Sequence, residues 1–154
     1  MKAIHWIIAA AALASVQPAQ AGVNDPEVII YRFPGVKDDG RADFTGVATV
    51  FHCTNFSGVT ENVRFVTRQS HGVLASNMAY PIPHLETLTA STHVPITYFA
   101  NNLATFSLGQ GTTAIAATSI NIICTAMTID AANPVPTGVA LRGIRFNPVP
   151  GSQE

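Results

Sequence analysis

The chain has 154 residues, 11% of them charged and 47% hydrophobic, with a formal net charge of −1. Charge this sparse leaves neither a basic stripe for phosphate backbones nor an acidic run for cations, which argues against nucleic acid as a partner. The hydrophobic share is equally unlike that of a disordered chain.

The N-terminus reads as a removable leader. Lys2 supplies a thin positive region, Ile4 to Val16 form a short apolar run, and Ala19-Gln20-Ala21 puts small residues where a signal peptidase cuts. The run is too short to cross a bilayer of about 30 Å as a helix, so 1–21 is expected to be a signal peptide, with a buried N-terminal helix as the alternative. Cleavage after Ala21 exposes Gly22 rather than a cysteine, which argues against a lipid anchor. Residues 22–154 fit one domain, expected to be exported to the periplasm or beyond. No later apolar stretch approaches the roughly 20 residues of a membrane span.

Beyond residue 22 helical periodicity gives way to short alternating runs of β-branched and aromatic residues, separated by Gly, Pro, Asn and Ser. Val28 to Phe33 is the first expected strand, stopped by Pro34-Gly35 and followed by the polar turn Lys37-Asp38-Asp39-Gly40. Val47 to Thr54 places Val47, Thr49, Phe51 and Cys53 on one face and His52 on the other. In Asn62 to Arg68, Val63 and Phe65 point one way while Arg64 and Arg68 point the other, the pattern of a half-buried strand. Ser70-His71-Gly72 turns the chain into Val73 to Ala79, which Pro81 and Pro83 break.

Leu85 to Thr92 and Val94 to Phe99 follow, Pro95 marking the second as an edge strand or a bulge. Leu103 to Leu108 leads into Gly109-Gln110-Gly111, read as a loop. Thr112 to Ala117 and Asn121 to Ile129 suggest a hairpin. The last strand is Val139 to Phe146, where a bulge at Gly143 would bring Val139, Leu141, Ile144 and Phe146 to one core side. The expected fold is all-β, an antiparallel two-sheet sandwich of about eight to ten short strands.

In an exported protein, Cys53 and Cys124 read as a disulfide, two buried free thiols being the alternative. Ile122, Cys124 and Ala126 share a face, so if the two cysteine strands lie in opposite sheets the bond pins the sheets together. That arrangement resembles the immunoglobulin-like sandwich, which implies an inter-sheet Cys53–Cys124 bridge. The buried tryptophan and tyrosine corner of antibody domains are missing: the only tryptophan is Trp6, and Ile122 stands two residues before the second cysteine. The segments Phe51-His52-Cys53-Thr54-Asn55, Val63-Arg64-Phe65-Val66 and Ile123-Cys124-Thr125-Ala126-Met127 also resemble small exported bacterial sandwich proteins, which implies fold and export and no particular activity.

Candidate chemistry is thin. There is no Gly-x-Ser-x-Gly elbow, and Ser70-His71 sits in a turn that selects Ser and Gly for backbone reasons. His52, His71, His84 and His93 lack the spacing of a zinc site, although folding could gather some of them. Asp38, Asp39 and Asp43 form the only acidic cluster and do not match a calcium loop of the EF-hand type. No catalytic residue, metal ligand or cofactor is therefore assigned. Asn55-Phe56-Ser57 is a glycosylation sequon only if the cell is eukaryotic, and Asn55 is expected to be bare.

One feature points toward partners. Ile123, Met127 and Ile129 make the second face of the Cys124 strand apolar, so that face is either covered by another segment or is a contact surface. The expected function is a non-catalytic exported module that binds a protein or a glycan, or self-associates. The alternatives are an exported hydrolase drawing on His71, His84, His93, Asp38 and Asp43, and a periplasmic metal-binding protein.

Overall fold

A computed structural model describes Asn24 and residues 26–146. The expected leader, 1–21, and residues 147–154 lie outside the described residues. Among the described residues ten strands occur in chain order: β1 Val28–Asp38, β2 Val47–Asn55, β3 Glu61–Gln69, β4 Leu74–Ile82, β5 Thr87–Ser91, β6 Asn101–Asn102, β7 Leu108–Ala117, β8 Ile122–Asp130, β9 Gly138–Leu141 and β10 Ile144–Arg145. They make two five-stranded sheets, ordered β10-β1-β7-β3-β4 and β6-β5-β2-β8-β9. All pairings are antiparallel except the two-residue β5–β6 contact. The fold is the expected all-β sandwich, and among the described residues no helix is long and apolar enough to cross a membrane.

Alternation carries the packing. In β3 the side chains of Glu61, Val63, Phe65 and Thr67 are buried, while Arg68 is exposed and Arg64 half-exposed. In β8 Ile122, Cys124 and Ala126 face inward in the same way. Phe51 from one sheet stands between Phe33 and Phe65 of the other, with ring centroids 5.8 and 5.7 Å apart. All three rings are fully buried, and edge and tilted contacts of this kind add to the apolar area they remove from water.

The disulfide forms, but its setting corrects the inter-sheet expectation. Cys53 and Cys124 are directly opposite residues of neighbouring strands β2 and β8, with Cα atoms 4.1 Å apart. The bond therefore ties two strands within one sheet and does not clamp the sheets to each other. A buried bridge of this kind suits an oxidising, non-cytoplasmic compartment.

Several local expectations are revised. β1 does not stop at Pro34-Gly35. Register shifts on either side of Val36, with Gly35 at φ 82°, carry the strand on to Asp38. Gly109-Gln110-Gly111 is strand, not loop: Gly111 pairs with Val36 and Gln69, and a Cβ there would collide with the Arg68 carbonyl. β7 and β8 are not a hairpin, because the short link 118–121 carries the chain from one sheet to the other. The expected strands over 94–99 and 103–108 are absent. Apart from the two residues of β6, the segment between β5 and β7 is irregular, with Ala104 and Phe106 at positive φ.

The last expected strand is likewise two. β9 pairs with β8, then the chain crosses at Arg142-Gly143, and β10 pairs with β1 in the other sheet. Val139, Ile144 and Phe146 are consequently exposed rather than gathered on a core side. Gly143 is required by close approach, since a Cβ there would overlap the buried Phe33 ring. Gly143→Ala is expected to cost about 1 to 3 kcal/mol through this overpacking, read as a lowered denaturation midpoint at unchanged m.

Candidate functional site

Strand ends sort the loops. The ends of β1, β3, β5 and β8 and the starts of β2, β4, β7 and β9 lie at one end of the sandwich, as the pairings Asp38–Leu108, Val47–Asp130 and Arg68–Leu74 show. This end holds Asp38, Asp39, Asp43, His71 and His93. His84 lies at the opposite end, where its Nδ1 accepts a hydrogen bond from the Gly58 amide at 3.0 Å.

Asp38 and His93, 55 residues apart in sequence, meet in the interior. The imidazole Nδ1 is 3.0 Å from one Asp38 oxygen, and Nε2 is 2.9 Å from the Thr45 carbonyl. The Gly40 amide donates to the same Asp38 oxygen at 2.7 Å, and the Thr105 hydroxyl donates to the other at 3.0 Å. A carbonyl can only accept, so Nε2 carries a proton. The arrangement is a hydrogen-bonded histidine–carboxyl pair, with both side chains almost wholly buried.

This pair fastens the loop between β1 and β2 to the segment that follows β5. Asp43 joins it by accepting from the Val94 amide at 2.9 Å and from the Asn102 side chain at 3.2 Å, while the Phe44 amide donates to the Val94 carbonyl at 2.7 Å. Asp38, Asp39 and His93 are close enough together to offer three ligand atoms to a cation. Both imidazole nitrogens are already committed, however, so ligation by His93 would require breaking one of its two hydrogen bonds. The same commitment leaves no free nitrogen to act as a general base.

What the network holds up is apolar. Phe44, Ile96, Phe99 and Phe106 are exposed by 53, 53, 106 and 81%, Phe44 and Phe106 in the loops at this end and Ile96 and Phe99 on the segment that runs from it along the outer face of the sheet. Phe44 and Phe106 sit at φ 66° and 56°, where a bulky side chain is a backbone outlier. Phe44 and the 94–101 segment line a cavity of about 430 Å³. Ile96, Phe99 and Phe106 fall within the strands expected over 94–99 and 103–108, and Phe44 falls between the expected 37–40 turn and the strand that begins at Val47. The signal that could have found them is the spacing of Phe99 and Phe106 about Asn101-Asn102, since the Asn102 side chain caps the Ala104 amide at 2.7 Å and turns the chain.

The remaining candidates are dispersed. Ser70 and His71 lie in the exposed β3–β4 turn, closed by the Gln69 and Gly72 amides. His52 lies on the outer face of its sheet, 3.0 Å from the Thr89 hydroxyl and edge-on to Tyr98 at 4.7 Å, and burial lowers its pKa below the ordinary value. Asn55 is buried and gives both amide protons to the carbonyls of Val59 and Ile82, which keeps it from presenting its nitrogen to solvent. Ile129 is buried. The segment carrying Ile96 and Tyr98 crosses this face, with the Ile96 amide bound to the Ala131 carbonyl at 2.9 Å. Met127 is half-buried, leaving Ile123, at 48%, as the exposed residue of the expected surface.

No protein-family model matches the chain, and no curated protein or solved structure matches it significantly.

Proposed function

We propose that the protein is an exported, non-catalytic binding module that contacts a protein or glycan partner through the exposed side chains of Phe44, Ile96, Phe99 and Phe106. The single observation that carries this is Phe106, largely solvent-exposed on a backbone held at positive φ. Such conformations cost on the order of 1 to 3 kcal/mol and persist only where the surroundings impose them. Here the imposing contact is Thr105, fixed to Asp38 beside it. Export rests on the leader pattern, on the resemblance to small exported bacterial sandwich proteins, and on the buried disulfide. An exposed apolar cluster on a rigid scaffold is the usual form of a recognition surface.

Two substitutions test this. Phe106→Gly removes the backbone outlier and is expected to raise stability by about 1 kcal/mol, while Phe99→Ser leaves stability unchanged. Together they should abolish partner capture or self-association seen with the wild-type protein, measured by cross-linking in the native envelope and by sedimentation at micromolar concentration. A wild-type protein that stays monomeric and unpartnered, or a double variant that binds equally well, overturns the reading.

A further inference from the structure

We infer that the outer face of the sheet β10-β1-β7-β3-β4 is a second binding site, for a carboxylate-bearing (uronate) polysaccharide. Register sets the geometry. Arg32 on β1, Ala114 on β7 and Val66 on β3 form one cross-strand row, Arg68 and Thr112 belong to the next, and Arg64 and Ala116 to the row on the other side. Because β7 carries small residues, a trough of about 210 Å³ runs along the middle of the sheet, with Arg32 on one wall and Arg68 on the other.

The two walls differ from Arg64 in how their charge is satisfied. Arg64 is held by Glu27 through Nε at 2.6 Å and Nη2 at 3.1 Å, a bidentate pair that raises its pKa. Among the described residues no carboxylate lies within ion-pairing distance of Arg32 or Arg68. Arg68 gives one Nη1 bond to the Gly72 carbonyl at 2.9 Å, and Arg32 lies over the Phe146 ring at 5.6 Å. Each retains guanidinium donors in the fork geometry that matches a carboxylate.

The ligand class follows from charge density and from the floor. Three arginines offset by Glu27 leave this face with too little charge for a nucleic acid backbone, and suit a polymer bearing one carboxylate per sugar. β7 is hydrogen-bonded to strands on both sides, so the trough offers no open backbone edge for a peptide to extend. Its floor is methyl groups, against which the C–H face of a sugar ring can lie.

The test is titration of the purified protein with polygalacturonate, neutral dextran, dextran sulfate and poly-glutamate at low salt. Polygalacturonate should bind with salt-sensitive affinity, and dextran should not. Arg32→Gln with Arg68→Gln should weaken binding at least tenfold at unchanged melting temperature, because both side chains are exposed. Glu27→Gln, which frees the Arg64 fork, should tighten it severalfold. Absence of polygalacturonate binding, equal binding by the double variant, or tighter binding of poly-glutamate or dextran sulfate overturns the assignment. The Phe106 and Phe99 variants should bind polygalacturonate normally, which separates this site from the exposed rings.

Discussion

Asp38→Ala is expected to lower the unfolding free energy by about 3 to 5 kcal/mol, the cost of removing one member of a buried, hydrogen-bonded pair. Asp38 is 1% and His93 5% exposed, so water cannot replace the lost carboxylate. The substitution also removes the acceptor of the Gly40 amide at 2.7 Å and leaves the Thr105 hydroxyl, now 3.0 Å from Asp38, with only its longer 3.4 Å contacts to the Thr92 and Phe106 carbonyls. Guanidinium unfolding should show a lower midpoint at unchanged m. His93→Gln, a smaller perturbation, retains one donor and should cost less. In a double-mutant cycle the Asp38→Ala/His93→Ala pair should recover part of the sum of the singles. Additive losses would show that the two groups do not act as a pair. Because the network fixes Thr105 beside Phe106 and links to Asp43 beside Phe44, Asp38→Ala should also loosen the exposed rings before the sheets unfold.

The parts of this fold that could be read from sequence are those governed by local periodicity. β3 and β8 announce themselves because residues two apart share a face, and Val63 with Phe65, or Ile122 with Cys124, fall on the core side wherever the strand is placed. Which sheet a strand joins is not a local property. The link between Ala117 and Ile122 has the length of a hairpin turn, yet it crosses between sheets, and nothing in Thr118-Ser119-Ile120-Asn121 distinguishes the two. The same ignorance made the bridge look like an inter-sheet pin: the sequence marks Cys53 and Cys124 as core residues, and only the β2–β8 register makes them neighbours.

The candidate site was legible in its parts and not in its assembly. His93 and the Asp38 cluster both stood out, but their meeting depends on β5 ending where β2 begins, a pairing of Val50 with Ser91 that spans 41 residues. Phe99 and Phe106 were hidden by a genuine ambiguity. Alternation there is produced by a loop that buries Leu103 and Thr105 as plugs, with the Leu103 amide bound to the Ser91 carbonyl at 2.8 Å, rather than by a pleat. The signal is conformational: two adjacent asparagines favour turns, and the Asn102 side chain caps the amide of Ala104, which sits at positive φ.

Replacing both cysteines with alanine should cost about 4 kcal/mol, the chain-entropy value for a closed loop of this size. The bond spans 71 residues, a stretch that includes all of β3 to β7 and so ties strands of both sheets in the unfolded chain. In the folded state its restraint is largely redundant, because β2 and β8 are already held by nine consecutive residue pairs. The loss should therefore act through the unfolded ensemble. Native-state amide protection in β2 and β8 is expected to keep its pattern in the variant, while the melting temperature drops by roughly 15 °C. A thiol titration of the unreduced protein should detect no free sulfhydryl before reduction and two after it. A variant that loses less than about 1 kcal/mol would mean that the denatured chain is already compact between these strands, and a variant that loses β2–β8 protection specifically would mean that the bond, and not the register, holds the pair together.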